Sequence, residues 1–146
     1  MRYVIIGKNS VYVEPLRNYI LEKTESVDIT AISELADLLD KYDEDVVFCL
    51  NDIKTRDDEF DELDNLIDAN IIGLNDILDI VRAKNRMVRV VLTSESGEEL
   101  YTMTKEYQKM LSSLYRDAYH MDIRIAECSQ DNIDESVIRL YTAAVG

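Results

Sequence analysis

The sequence predicts an α/β domain built on a doubly wound parallel sheet of five strands with helices on both faces. Three observations carry that prediction. Five short apolar runs alternate with five stretches of helical periodicity. No two-residue turn joins one apolar run to the next, as a hairpin would require. The run Val46-Val47-Phe48-Cys49-Leu50 is apolar without interruption, the pattern of a strand covered on both sides at the centre of a parallel sheet. Parallel neighbours then need right-handed crossovers through the helices. With 146 residues and no interdomain linker or internal repeat, residues 1–146 are expected to form a single domain.

The elements follow in order. Tyr3 to Ile6 is a strand ending at Gly7, and Val13, Leu16 and Ile20 then step along one helical face, with Pro15 tolerated near the helix start. Val27 to Ile32 alternates apolar and polar residues, and Ser33 is expected to cap a helix carrying Leu35, Leu38 and Leu39 that ends at Asp43-Glu44-Asp45. After the central strand and a polar stretch from Asn51 to Glu62, the residues Leu63, Ile67, Ile71, Leu74, Leu78 and Val81 predict the longest helix, buried along that face. Val88 to Leu92 is a buried strand leading through Thr93-Ser94-Glu95-Ser96-Gly97 to a helix with Leu100, Met103, Met110, Leu111 and Leu114 as its apolar positions. Asp122 to Cys128 forms the fifth strand and Ile133 to Ala144 the closing helix.

Composition bounds the function. The chain is 47% apolar and 32% charged, as a globular domain is, and no apolar run approaches the roughly 20 residues that cross a bilayer. The N-terminus enters its first strand with no cleavable leader, so a cytoplasmic location is expected. Thirty acids against 16 bases give a net charge of −14, which repels phosphate backbones and anionic lipid and argues against direct nucleic-acid or membrane binding. Cys49 and Cys128 each lie in an apolar strand and read as buried reduced thiols. His120 is the only histidine; it reads as a surface or helix-end residue, and no metal site is expected. Asp57 to Asp64 holds six acids in eight residues, the pattern of a solvated helix start or of an acidic surface that docks on a basic protein partner.

In a doubly wound fold, ligands sit beyond the carboxyl ends of the strands. Here that rim comprises Gly7 to Ser10, Asn51 to Ile53 and Thr93 to Gly97. Past it, Tyr101 and Lys105 lie four apart on one helical face, a spacing at which an ammonium would favour the phenolate and lower the tyrosine pKa. Tyr101 would then serve as a general acid or base toward a carbonyl or hydroxyl.

Several stretches, in sequence order, resemble the extended short-chain dehydrogenase/reductase family of NAD-dependent epimerases, dehydratases and reductases. Asp28-Ile29-Thr30, the Ser33 helix and Asp45-Val46-Val47 resemble one family segment; Asn70-Ile71-Ile72-Gly73-Leu74-Asn75 resembles a second. Val90-Val91-Leu92-Thr93-Ser94 is similar to the strand that ends at the family's catalytic serine or threonine, and Tyr101-Thr102-Met103-Thr104-Lys105 matches Y-x-x-x-K. The resemblance implies a Rossmann-like fold, a catalytic set of Ser94 (or Ser96), Tyr101 and Lys105, NAD or NADP as cofactor, and Gly7, Lys8, Ser10 and Asn70 as cofactor-binding positions. It also implies a homodimer in which the two long helices, roughly 63–81 and 100–119, pair with their symmetry mates. The crowding of Tyr101, Tyr107, Tyr115 and Tyr119 with Met103 and Met110 suits an interface.

The departures from the family are equally specific. Where it carries G-x-x-G-x-x-G after the first strand, this chain has Gly7, Ser10 and Val13; the third glycine position is expected to crowd the helix–strand contact. One early strand–helix unit is missing, Ser94 and Tyr101 stand close in sequence, and the chain stops at Gly146 without a substrate-closing region. With that unit gone, the expected strand order becomes 2-1-3-4-5, as in flavodoxin-like and receiver domains. A phospho-acceptor receiver is disfavoured because Lys8-Asn9-Ser10 stands where it needs an acidic pair, and Glu127-Cys128-Ser129 lacks its lysine. The expectation is a degenerate member of the scaffold, non-catalytic and used for binding or assembly. The alternative is a minimal NAD(P)-dependent sugar-nucleotide epimerase or reductase using the Ser-Tyr-Lys site.

Overall fold

The computed structural model describes residues 1–54, 62–84 and 86–146. Five parallel strands, β1 (Arg2–Ile6), β2 (Ser26–Thr30), β3 (Val46–Cys49), β4 (Arg89–Ser94) and β5 (Ile123–Glu127), form one sheet in the order β2-β1-β3-β4-β5. This is the order expected once an early strand–helix unit is removed. The helices are α1 (Val13–Glu22), α2 (Ile32–Lys41), α3 (Leu63–Ile67), α4 (Gly73–Ala83), α5 (Glu99–Tyr119) and α6 (Ile133–Val145). One core joins α1 and α6 to the sheet through Leu16, Ile20, Phe48, Val137 and Leu140; the other joins α2, α4 and α5 through Leu35, Val47, Ile77, Leu78 and Leu111. All four residues of β3 are buried, as its unbroken apolar run predicts. No helix among the described residues is long and apolar enough to cross a membrane. Most of the acidic run from Asp57 onward lies outside the described residues.

Some local expectations shift. The second strand is Ser26–Thr30, and α2 begins at Ile32 behind an extended Ala31 with no side-chain cap, so Ser33 lies inside the first turn. The predicted long helix is a continuous helical run from Leu63 to Ala83 interrupted by a π-helical turn at Asp68–Ile72, where the Gly73 amide donates to Asp68 O. Its inward residues in the first half are Leu66 and Asn70, while Ile67 faces out. Periodicity pointed to Leu63, Ile67 and Ile71 because it follows apolar residues, whereas Asn70 turns inward to serve hydrogen bonds.

The longest helix, α5, departs further. Its buried positions are Tyr101, Thr104, Lys105, Gln108, Leu111 and Ser112, whereas Met103, Met110 and Leu114 are exposed. Met103, Tyr107, Met110 and Leu114 form a solvent-facing stripe at helical spacing, outside the core. His120 takes a left-handed conformation with φ of 55° and ends the helix, the helix-end place expected for it. Both cysteines are buried free thiols.

At the amino end of the sheet, the Glu44 side chain is fully buried, with Arg2 3.5 Å away and no hydrogen-bond partner for either carboxyl oxygen. Burial, aided by the neighbouring Asp28 carboxylate and opposed by Arg2, pushes its pKa up to about 8. Between about pH 4.5, its ordinary value, and pH 8 the folded chain therefore holds a proton that the unfolded chain releases, so stability falls as pH rises through that window. A single such group contributes a slope of up to about 1.4 kcal/mol per pH unit. Urea unfolding of wild type and Glu44→Gln from pH 5 to pH 8 should show the wild type losing stability relative to the variant. Parallel curves would assign the slope to other groups.

Candidate functional site

The order of the sheet places its reversal between β1 and β3, and a convergence of polar groups lies at the carboxyl ends of these strands. A cavity of about 280 Å³ opens there, with walls from the segment after β1 (Asn9 to Tyr12), the segment after β3 (Asp52 to Lys54), Thr93 and Glu95 after β4, Tyr101 on α5 and Gln130 after β5. Glu95 is its hub. Its Oε1 accepts from Tyr12 Oη at 2.8 Å and from Lys54 Nζ at 2.6 Å, while Oε2 accepts from Tyr101 Oη at 3.2 Å. The Lys54 ammonium also stands 5.2 Å from the centre of the Tyr101 ring.

Beneath the cavity lies a buried polar network that explains the polar inner face of α5. Lys105 Nζ donates to Asp52 Oδ2, to Thr93 Oγ1 at 2.9 Å and to Gln108 Oε1 at 2.7 Å, which accounts for all three donors of an ammonium. Gln108 Nε2 donates to Asp52 Oδ1 at 2.9 Å and to the Asn70 carbonyl at 2.7 Å. Asn70 is fully buried; its Oδ1 accepts from Ile53 N, and its Nδ2 donates to Ile53 O and Thr104 Oγ1. The π turn makes this possible, because a wider turn leaves carbonyls that a regular helix would satisfy internally. Gln108 takes the one on Asn70, and Asn51 Nδ2 takes the one on Ala69 at 3.2 Å.

The three expected catalytic residues are not brought together as a set. Tyr101 and Lys105 share the inner face of α5, but the lysine turns to Asp52 and the phenol to Glu95. Tyr101 is 1% exposed, and burial first, with the Asp52 and Glu95 carboxylates next, drives its pKa upward, the reverse of the lowering that the spacing alone suggested. Ser94 borders a different cleft, which it shares with Lys105, Ser96, Thr102 and Ser129, while Thr93 and Glu95 are the strand-end residues that line the cavity with Tyr101.

Of the expected cofactor positions, Gly7, Ser10 and Asn70 have structural roles, and Gly7 and Lys8 line one concavity. Gly7 adopts φ of 121°, and a Cβ there would stand 2.2 Å from the Leu50 carbonyl oxygen, so the glycine is required by the close approach of β1 and β3. Ser10 forms a turn, with Oγ accepting from Tyr12 N and its carbonyl accepting from Val13 N. Val13 is buried in the core with Leu16 and Ile5, at the contact between α1 and the sheet. Tyr12, 3% exposed, crosses from that segment to Glu95, where an approaching diphosphate would need bare backbone. Asn70 is closed to a ligand. Lys8 is exposed on a second concavity of about 430 Å³ that also presents Asp68 and Asp76. These residues do not form the glycine cradle of a dinucleotide site.

Glu95 and Tyr12 are the residues that sequence reasoning missed. The rim included the segment of Glu95, and an acid next to Thr93-Ser94 was the available signal; Tyr12 had none beyond lying between Ser10 and Val13.

No protein-family model matches the chain, and no curated protein sequence matches it. Solved structures do. The chain superposes on a UDP-glucose 4-epimerase from Brucella ovis in complex with NAD with a TM-score of 0.74 at 12% identity, over 86% of this chain and 51% of that one. For a UDP-glucose 4-epimerase from Thermus thermophilus in complex with NAD the score is 0.73 at 12% identity, over 94% and 60%. For a short-chain dehydrogenase/reductase superfamily protein from Agrobacterium tumefaciens with bound NAD it is 0.72 at 13% identity, over 86% and 48%. The chain thus spans about half the length of the structures it matches. It carries the Rossmann-like fold of the short-chain dehydrogenase/reductase and epimerase proteins.

Proposed function

We propose that this chain is a catalytically silent domain on the short-chain dehydrogenase/epimerase scaffold, used for binding or assembly. The observation that carries the reading is the Lys105 ammonium, which has Asp52, Thr93 and Gln108 as partners and no donor left for the chemistry of Tyr101. A general acid needs a pKa near the working pH. The phenol of Tyr101 is moved away from it by burial and by two carboxylates. Tyr12, lying across the segment after β1, supports the same reading for the cofactor. Assembly is proposed through a second copy of the chain, on the Met103, Tyr107, Met110 and Leu114 stripe of α5.

The alternative is a minimal NAD(P)-dependent epimerase or reductase, favoured by the NAD complexes of its structural neighbours. Titration of NAD(H) and NADP(H) into the protein, followed by the melting temperature, separates the two. No saturable rise is expected up to millimolar dinucleotide, and light scattering on the same samples should give about twice the 16.9 kDa chain mass. A saturable rise of several degrees would overturn the silent reading, and a monomer mass at micromolar concentration would overturn the assembly.

A further inference from the structure

The cavity at the carboxyl rim already holds a cation. Lys54 sits at its mouth with a side chain that is 37% exposed, yet its ammonium reaches inward to Glu95, whose side chain is only 7% exposed. There it meets the carboxylate at 2.6 Å and lies over the face of the Tyr101 ring, with the Tyr12 hydroxyl on the same carboxylate oxygen. A carboxylate beside an aromatic face is the arrangement that recognises organic ammonium groups. Both phenols donate to Glu95, which fixes the carboxylate in place in the cavity wall and leaves it further lone pairs to accept from an ammonium.

We propose that this cavity is a binding site for a primary ammonium group on an alkyl chain, and that Lys54 is its tethered occupant, displaced when the ligand arrives. The chemistry follows from what surrounds the vacated position. The other charged wall residue, Asp52, is neutralised by Lys105, so with Lys54 withdrawn the cavity presents the Glu95 carboxylate and two tyrosines and, among the described residues, no further lysine or arginine. That lining rejects phosphates and carboxylates and accepts a cation, and the net charge of −14 raises the local concentration of cations. An intramolecular ammonium competes at the effective concentration its short tether imposes, which lowers the apparent affinity of any external amine. The inference rests on the binding reading above, and it names the ligand class for the same rim.

The test removes the tether. Lys54→Ala should show a saturable rise in melting temperature with n-butylammonium chloride and bind it about tenfold or more tightly than wild type. The double variant Lys54→Ala, Glu95→Gln should show neither effect, with sodium chloride at equal ionic strength as the baseline for all. A blocked Gly-Gly-Lys-Gly-Gly peptide distinguishes the sources of the ammonium: tighter binding than butylammonium assigns the site to a lysine of a protein partner, weaker or equal binding to a free amine. A response no larger than that of sodium chloride, or an equal response in the double variant, overturns the proposal. If Glu95→Gln does not fold, acylation of the wild-type protein decides instead. Butylammonium should then speed modification of Lys54 relative to exposed Lys8, and an unchanged ratio overturns the proposal. Dinucleotide binding to the wild type would sink the silent reading, and it is read in a different protein and by a different ligand from the amine response.

Discussion

Replacing Lys105 with alanine is expected to destabilise the protein by about 3–5 kcal/mol, the cost of leaving a buried carboxylate without its partner. The lysine side chain is 4% exposed and that of Asp52 14%, so water cannot readily replace the lost ammonium. Thr93 and Gln108 would each lose a partner as well, and Gln108 also holds the π turn through Asn70 O. For a chain of this length the loss corresponds to a fall of roughly 10 °C in melting temperature. Lys105→Met, which keeps the apolar stem, should be nearly as damaging, and a double-mutant cycle with Asp52→Ala should return a large coupling. Urea unfolding measures all three. A cost below about 1 kcal/mol, of the size seen for exposed pairs, would mean that Lys105 is free to serve the cavity and would return it to a catalytic role.

Gly7→Ala is expected to be at least as severe, about 3 kcal/mol or more, because two independent penalties coincide. The φ of 121° is one that residues with a Cβ rarely adopt, and the added carbon would overlap the backbone of Leu50. Leu50 is itself fixed there, since its amide donates to Ile6 O at 2.9 Å. Relief would have to come from parting β1 and β3, the two strands at the middle of the rim. Chemical denaturation of the alanine variant checks this, and a loss below about 1 kcal/mol would show that the segment relaxes without opening the sheet. The expected severity also bears on how the glycine is read. Its presence is explained by chain packing, without any need for a phosphate ligand.

How much of this was legible in the sequence depends on what each residue responds to. Strands buried on both faces must be apolar throughout, so Val46 to Cys49 announced the centre of the sheet without ambiguity. The alternation of strands and helices then left few topologies, and the missing early unit fixed the order that was found. Helix faces were harder. Periodicity assumes that the inner face is the apolar one, and α5 inverts that rule by burying Thr104, Lys105, Gln108 and Ser112. Ser112 bonds back within the helix to Gln108 O, but Thr104 and Gln108 go inward to meet Asn70, partnerships between residues tens of positions apart that no local window contains.

The candidate site shows the same division. Tyr101 and Lys105 were found by their spacing and do share a face, but spacing carried no information about Asp52 or Glu95, which take the hydrogen bonds the pair was expected to direct at a substrate. Asn70 was singled out as a ligand contact and turned out to join the segment after β3 to α5.

Because a single carboxylate receives hydrogen bonds from three separate pieces of chain, those following β1 and β3 and the start of α5, these pieces cannot adjust one at a time. Whatever guest takes over one of the three positions on Glu95 alters the balance at the other two. The rim is therefore mechanically one part, and an event at Lys54 should be felt at the backbone of Tyr12, on the far wall, without any motion of the sheet between them.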